Sequence, residues 1–323
     1  MECFYLILNP QKAGAVEMAG KIRDYLHGCG CRCLIQGEEE RQEETCARTE
    51  PVGQSEVGMK RDMAEPGRQE ETVGRWEGFG RKEGYRYTDA CQVPEDTHCV
   101  ITLGGDGTLI QAARDLAGRR IPMLGVNLGN LGYLTQVGRQ EEMAGLLDDL
   151  IGDQYRLERR MMLKGTVLRQ GTVIKEDLAL NEVVIARREM LRLLKLRVYV
   201  NGEALHQYQA DGMIVATPTG STAYNLSAGG PIVEPTASMT ILTPICSHAL
   251  NGRSIVLSAE DRIEIEVLGH AEEGQAAVFD GDTFVHLKVG DRLRIERSET
   301  ETILVKLRAV SFLDNLRSKL AGI

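Results

Sequence analysis

The run Cys99-Val-Ile-Thr-Leu103, then Gly104-Gly105-Asp106-Gly107-Thr108, then an apolar stripe at Leu109, Ala112, Ala113 and Leu116, constrains this chain more than any other feature. The short apolar run reads as a buried strand, and the i, i+3, i+4, i+7 spacing reads as an amphipathic helix. The glycine-rich turn between them lies at the carboxyl end of the strand, where open α/β sheets bind ligands. There, backbone N–H groups and the helix N-terminus can meet phosphate oxygens. The glycines do not form GxGxxG and no GxxxxGK[ST] is present, so neither the dinucleotide fingerprint nor the P-loop applies. A tight turn capped by Asp106 and Thr108 is the structural alternative.

The flanking sequence follows the same logic. Residues 3–8 form a strand stopped by Asn9-Pro10, Val16, Ala19, Ile22 and Leu26 mark a helix ending at Gly28, and strands follow at residues 31–35 and 121–126. An open parallel sheet in an α/β domain over residues 1–150 is the expected fold. After a short helix at residues 141–150 the rhythm changes to strands. They are expected at residues 157–168, 173–185, 191–200, 212–217, 239–242, 255–257, 263–267, 284–289, 293–295 and 303–307, with turns such as Asn201-Gly202, Asp280-Gly281 and Gly290-Asp291. Residues 151–310 therefore read as a mostly β, sandwich-like domain. Phe312, Leu316 and Leu320 predict a C-terminal helix over residues 311–323 that packs back.

Residues 37–88 interrupt this pattern with 52 positions that contain no Leu or Ile, carry 13 acids and 9 bases, and include RQEET twice, at 41–45 and 68–72. Such a segment cannot bury enough apolar area to offset its ordering entropy, so it reads as a disordered insertion whose repeat is a duplication scar. Trp76, Phe79, Tyr85 and Tyr87 near its end are candidates for a contact with the body or a partner. The segment supplies four of the chain's nine net negative charges. The body is thus only mildly acidic, and its charge argues against general binding of nucleic acid or an anionic membrane while leaving room for a local phosphate pocket.

The eight cysteines lack paired CxxC spacing, and Cys3, Cys33 and Cys99 sit in apolar runs, which suits reduced, partly buried thiols. Cys29, Cys31 and Cys33 read as strand alternation in preference to a metal clip. The early apolar run falls short of the roughly 20 residues of a bilayer span, and Glu2 stands where a leader is basic. A cytoplasmic location is the expectation.

Two further stretches carry candidate chemistry. Residues 211–230, Asp-Gly-Met-Ile-Val-Ala-Thr-Pro-Thr-Gly-Ser-Thr-Ala-Tyr-Asn-Leu-Ser-Ala-Gly-Gly, follow a strand with a run of small hydroxyls able to contact one ligand, although composition alone fits an ordinary Ser/Thr-rich loop equally. Asn181-Glu182 offers an amide and a carboxylate suited to an adenine edge and a ribose diol. Such pairs are also common at exposed turns. Asp280-Gly281-Asp282 is a weaker candidate that also makes a good hairpin turn.

Taken in order, GGDGT at 104–108, NLGNLGYL at 127–134, NEVV at 181–184 and DGMIVATPTGSTAYNLSAGGPIV at 211–233 resemble the NAD kinase family. GGDG alone also occurs in phosphofructokinases and lipid kinases, whereas the long TPTGSTAY element with NE is specific to NAD kinases. The resemblance implies transfer of the ATP γ-phosphoryl group to the 2′-hydroxyl of the adenosine ribose of NAD, with a divalent cation, usually magnesium, and a homodimer or homotetramer. By that resemblance Asp106 is the general base and active-site anchor, with Gly104, Gly105, Gly107 and Thr108 around the phosphates and dinucleotide. Asn181 and Glu182 hold the adenosine part and Asp211 reads the nicotinamide side. Thr222, Ala223, Tyr224 and Ser227, with Asn225 and Leu226 between them, close over the dinucleotide. No protein side chain is assigned as a metal ligand. Two departures stand out: Gln209 replaces the basic residue the family often has two positions before the aspartate, and Asp282 replaces the glutamine of a DGQ. Arg192 is a candidate phosphate contact. A lipid or sugar kinase using the same glycine loop and a catalytically dead dinucleotide sensor are the alternatives.

Overall fold

In a computed structural model of the protein, residues 1–37, 88–129, 132–137, 142–187, 193–248, 252–269, 274–307 and 311–321 are described. The RQEET repeat, Trp76, Phe79, Tyr85, Tyr87 and Arg192 lie outside these residues.

The first half alternates strands and helices. Strand β1 (Cys3–Leu8) leads through α1 (Ala15–Gly28) to β2 (Arg32–Ile35), and β3 (Cys99–Gly104) leads through α2 (Asp106–Asp115) to β4 (Met123–Asn127), the two-residue β5 (Gln136–Val137) and α3 (Met143–Ile151). All these strands pair in parallel, in the order β4-β3-β1-β2. β1, β3 and β4 are apolar and buried almost throughout because helices cover both faces. Phe4, Leu6, Ile101 and Leu103 pack under α1 and α3, while Tyr5, Ile7 and Val100 pack under α2. The α1 stripe is Ala15, Ala19, Ile22 and Leu26. Val16 is 68% exposed, because the buried face starts one residue earlier than the spacing from Val16 suggests. Cys31 and Cys33 point into the core, whereas Cys29 is exposed at the end of α1.

The second half is β-rich. It comprises β6 (Arg156–Arg169), β7 (Thr172–Ala179), β8 (Glu182–Arg187), β9 (Leu194–Val200), β10 (Glu203–Ala210), β11 (Gly212–Ala216), a 3₁₀ turn (Thr219–Thr222), the four-residue α4 (Tyr224–Ser227), β12 (Met239–Ile245), β13 (Ile255–Ser258), β14 (Ile263–Val267), β15 (Gln275–Phe279), β16 (Thr283–Leu287) and β17 (Arg292–Lys306). One antiparallel sheet runs β13-β12-β11-β8-β15-β16. A second group, with β9, β10, β14, β6 and β7 around β17, joins the parallel sheet where Leu304 of β17 pairs with Met123 of β4. Leu163, Leu196, Val198 and Ile295 from this group meet Val183, Ile185, Met213 and Val215 of the six-stranded sheet in one sandwich core.

Three expected elements change. The run 173–185 is two strands, since β7 lies in one sheet and β8 in the other, with the chain crossing at Leu180-Asn181. The runs 293–295 and 303–307 are one strand, β17, interrupted by an irregularity between Arg297 and Glu301. β10 and β15 were not expected: β10 lies at a sheet edge with mostly exposed side chains, and β15, with its sequence QAAVF, lacks a periodic signal. The C-terminal helix α5 (Phe312–Leu320) is closed at its start by a reciprocal Ser311–Asp314 capping box, and the Lys319 ammonium lies 5.6 Å from the centre of the Tyr133 ring. Among the described residues no helix is long and apolar enough to cross a membrane.

Gly212 shows how tightly β11 is held between its neighbours. A Cβ there would lie 2.4 Å from the Ile185 carbonyl oxygen and 2.8 Å from Ile245 Cδ1. Because the first of these is backbone of a paired strand, Gly212→Ala is expected to destabilise the fold by about 1–3 kcal/mol. Urea unfolding of the variant against the parent measures this.

Candidate active site

The glycine turn is built as its position demands. Gly104 ends β3, Gly105 precedes α2, and Asp106 is the first residue of that helix. A Cβ on Gly104 would come within 2.2 Å of Thr108 Oγ1, so this glycine serves packing. Nothing lies within 4 Å of a Cβ placed on Gly105 or Gly107, so the missing side chains there leave the backbone open to a ligand.

Asp106 is not a free carboxylate. Its Oδ2 accepts the Tyr133 N–H at 2.7 Å, and its Oδ1 accepts from Leu134 N at 3.3 Å, Thr135 N at 3.0 Å and Thr135 Oγ1 at 2.8 Å. A Cβ on Gly132 would sit 1.9 Å from Oδ1. GGDG and the segment GYLT are therefore halves of one device, in which the acid anchors the loop and the glycine makes room for the acid.

The Asn-Glu pair sits where the chain passes from β7 to β8. Three consecutive N–H groups, of Leu180, Asn181 and Glu182, donate to the Asp280 carboxylate at 2.7, 2.8 and 2.9 Å. Asp280, with a positive φ of 47° in the hairpin between β15 and β16, has a side chain only 1% exposed. Arg114 on α2 approaches it to 4.0 Å and also donates to Asp177 and Asp282 at 3.1 Å each, Thr283 Oγ1 at 2.8 Å and the Phe279 carbonyl at 3.2 Å. The helix that starts with Asp106 is thereby tied to the carboxylate that shapes the Asn-Glu crossing.

The loop after β11 closes on the same backbone. Thr217 N donates to the Asn181 carbonyl at 2.8 Å, Thr217 Oγ1 donates to the Leu180 carbonyl at 2.6 Å, and a Cβ on Gly220 would lie 2.2 Å from the Asn181 oxygen. The Tyr224 N–H donates to the Glu182 carboxyl. Burial, reinforced by the Asp280 charge and opposed by that N–H, pushes the Glu182 carboxyl up to about 8. Its Oε2 is buried without a hydrogen-bond partner, which is how an acceptor awaiting a ligand appears.

The remaining candidates divide. Thr222 and Ala223 lie half-buried near Glu182, with Tyr224 and Ser227 exposed. Asn225 is fully buried and its amide is engaged inside the loop: Nδ2 donates to the Ser221 and Pro231 carbonyls, and Oδ1 accepts from Thr243. Its place is in the loop scaffold. Leu226 is half-buried beside it. Asp211 pairs with Arg187 at 3.0 Å. A cation therefore stands beside Asp211 although Gln209 is uncharged, and it comes from β8. Asp282 is held by Arg114 in the network beneath the crossing, where its carboxylate already has a partner.

Arg114 and Arg187 were not singled out by sequence, and Asp280 stood only within the weaker candidate Asp280-Gly281-Asp282. The helical register placed residue 114 off the apolar stripe, and Asp280-Gly281 read first as a turn. Arg187 meets Asp211 only because β8 and β11 pair with Ala186 opposite Gly212. Among the described residues no three His, Cys, Asp or Glu side chains group as a metal cage. A Mg²⁺ ion that arrives on substrate phosphates and keeps several waters does not need one.

Glu182 gives the site a pH signature. Its folded-state value lies above the ordinary carboxylate range, so its contribution to stability is fully present at low pH and is lost as pH rises through about 8. Thermal stability of the parent should thus fall as pH rises from the ordinary carboxylate range to about 8, and Glu182→Gln should show a flatter decline. Parallel curves for the two would disprove the assignment.

Comparison with known proteins bears on the whole chain. Residues 4–155 match the family model of the ATP-NAD kinase N-terminal domain, and residues 180–307 match that of the C-terminal domain. The NAD kinase of Lachnospira eligens is 47% identical over 332 residues, spanning 99% of this chain and all of that protein. The NAD kinase of Agathobacter rectalis is 48% identical over 233 residues, 71% of this chain and 81% of its own length. Among solved structures, yeast NADH kinase complexed with NADH shares the fold with a TM-score of 0.74 at 24% identity, covering 100% of this chain and 88% of that one. An NAD kinase from Archaeoglobus fulgidus in complex with ATP gives 0.67 at 21% identity, over 99% and 100% of the two chains. With both halves matched by ATP-NAD kinase models and a relative nearly half identical from end to end, this chain belongs to the NAD kinase family.

Proposed function

We infer that, in the transfer of the ATP γ-phosphoryl group to the adenosine 2′-hydroxyl of NAD, Asp106 orients that hydroxyl and Asn181 and Glu182 receive the adenosine part. The observation that carries this reading is the chain of contacts linking the motifs. Asp106 opens the helix whose Arg114 reaches Asp280, and Asp280 fixes the backbone of Leu180, Asn181 and Glu182.

Phosphoryl transfer of this kind needs positioning and charge neutralisation more than covalent help. Asp106 Oδ1 takes three hydrogen bonds but Oδ2 only one, which leaves Oδ2 room for a substrate hydroxyl. A sugar hydroxyl is a far weaker acid than any carboxylic acid, so a carboxylate does not ionise it beforehand; Oδ2 aligns the oxygen and accepts its proton late. Glu182 Oε2 takes a ribose or adenine hydrogen bond. Asp211 and Arg187 stand toward the nicotinamide side, and the open backbone of Gly105 and Gly107 faces phosphate. Thr222, Ala223, Tyr224 and Ser227 close the dinucleotide side. Magnesium, carried on the donor phosphates, supplies charge neutralisation when bound.

We further propose a homodimer or homotetramer in which the exposed Tyr224 ring, 43% accessible in the single chain, meets a neighbouring subunit. Sedimentation velocity should find no monomer at micromolar concentration (on the order of the weaker stable associations). A cytoplasmic site of action agrees with the buried thiols of Cys3, Cys31, Cys33 and Cys99, none of them in a disulfide.

Purified protein with ATP, Mg²⁺ and NAD should form NADP. Asp106→Asn should retain the fold by circular dichroism and lower kcat by a factor on the order of 10²–10⁴. A folded variant with parental turnover would remove Asp106 from the mechanism.

A further inference from the structure

The β15–β16 hairpin turns on Asp280 and Gly281, whose φ angles are both positive at 47° and 69°, and the Asp282 N–H closes it on the Phe279 carbonyl at 2.9 Å. Two positive φ values give the two-residue turn whose twist matches that of paired strands. Glycine would take the first position without strain, whereas aspartate is strained there and brings a carboxylate. That carboxylate is buried in the crossing at Leu180–Glu182, and the Asp280 N–H returns a bond to the Glu182 carbonyl at 3.1 Å. Burial pushes the Asp280 carboxyl above its ordinary range, while the Arg114 guanidinium and the three N–H groups pull it back toward the ionised form. Only the ionised form leaves both oxygens free to accept, and the three N–H groups use both.

The turn is gripped from outside its own sheet. Arg114 Nη1 donates to the Phe279 carbonyl at 3.2 Å and to the Asp282 carboxylate at 3.1 Å, and Nη2 donates to Thr283 Oγ1 at 2.8 Å. The fork thus holds the residue before Asp280-Gly281 and the two after it. Nη2 also donates to Asp177 of β7 at 3.1 Å, and Nε stands 4.0 Å from Asp280, a charge contact longer than a hydrogen bond. Each terminal nitrogen carries two N–H groups, and each makes two bonds to protein from a side chain only 6% exposed. Arg114 lies on the helix that the glycine turn opens, yet its guanidinium is spent on the far side of that helix and keeps no terminal N–H for a phosphate.

We propose that Arg114 is a positioning residue for the dinucleotide: by clamping the Asp280-Gly281 turn it holds the Asp280 carboxylate against the Leu180–Glu182 backbone, and so sets where Asn181 and Glu182 meet the adenosine part. The role rests on the kinase reading above and adds that this arginine serves the phosphoryl acceptor, through Asp280, and not the donor. The planar fork is essential to it. A lysine ammonium is a single centre and cannot span the Phe279 carbonyl, Thr283 and Asp177 together.

Amide hydrogen exchange on the full chain reads the crossing without turnover. Arg114→Lys should speed exchange at Leu180, Asn181 and Glu182 about tenfold or more, well beyond any change in the interior of β8. In steady-state kinetics it should raise KM for NAD about tenfold and leave KM for ATP within about twofold of the parent. Thr283→Val removes one partner of the fork and no charge, so it serves if the lysine variant does not fold; it should raise KM for NAD less, about threefold. Asp177→Asn loosens the guanidinium from β7 but not from the turn, and should leave both KM values within about twofold. A double variant decides the route. Asp280→Asn should raise KM for NAD at least as far as Arg114→Lys, and combining the two should add nothing further, because both act through one carboxylate. Effects that multiply in the double variant overturn the route through Asp280. A rise in KM for ATP alone places the guanidinium on the donor side and overturns the proposal, as do folded variants with unchanged exchange and unchanged KM for NAD. Faster exchange at the three amides in Arg114→Lys, with a parent that forms no NADP, overturns the kinase reading and leaves the clamp standing.

Discussion

The Asp280 carboxylate, with three consecutive backbone N–H groups on its two oxygens, is the interaction on which the rest of the site depends. The chain leaves one sheet at Ala179 and enters the other at Glu182, and at such a crossing the ladder hydrogen bonds of both sheets are interrupted. Orphaned N–H groups in the interior would each cost about 1–3 kcal/mol. A single buried acid satisfies three of them and fixes the direction in which Asn181 and Glu182 leave the backbone. Arg114 meets the charge this introduces, and because Arg114 belongs to α2 the glycine turn and the Asn-Glu crossing share one electrostatic support.

That support explains the electrostatic contrast across the site. Glu182 stands beside a permanently engaged acid in a buried place, so its own carboxyl is held protonated to well above the usual range. Asp106 is buried less completely and is surrounded by donors, so it can remain an anchor and still offer one oxygen. The two carboxylates thus differ because their surroundings differ.

Much of this was legible beforehand. The buried strands around residues 3–8 and 99–103 and the turn signals announced an α/β sheet and a β-rich second half, because glycine demands, apolar runs and helical spacing are local properties, and the resemblance of the four motifs implied a kinase. What failed was also physical. Residues 173–185 are uniformly compatible with strand, and only the partner strands decide that the run must break at Leu180-Asn181. The small side chains of β15 and the exposed face of β10 carry no periodic signal, so pairing alone makes them strands. Asn225 looks like a ligand contact in the loop sequence, but burial against Thr243 and Pro231 turns it inward.

The sequence by itself determined the fold class, through apolar runs and helical spacing at neighbouring positions, and its four motifs carried the resemblance to the family. Only the tertiary structure decided that Asp280 shapes the Asn-Glu crossing while Asp106 anchors the 133–135 loop. Those outcomes depend on pairings between residues far apart in the chain, such as Asp280 with Leu180–Glu182, 98 to 100 positions away. Spacing along one chain carries no record of such pairings.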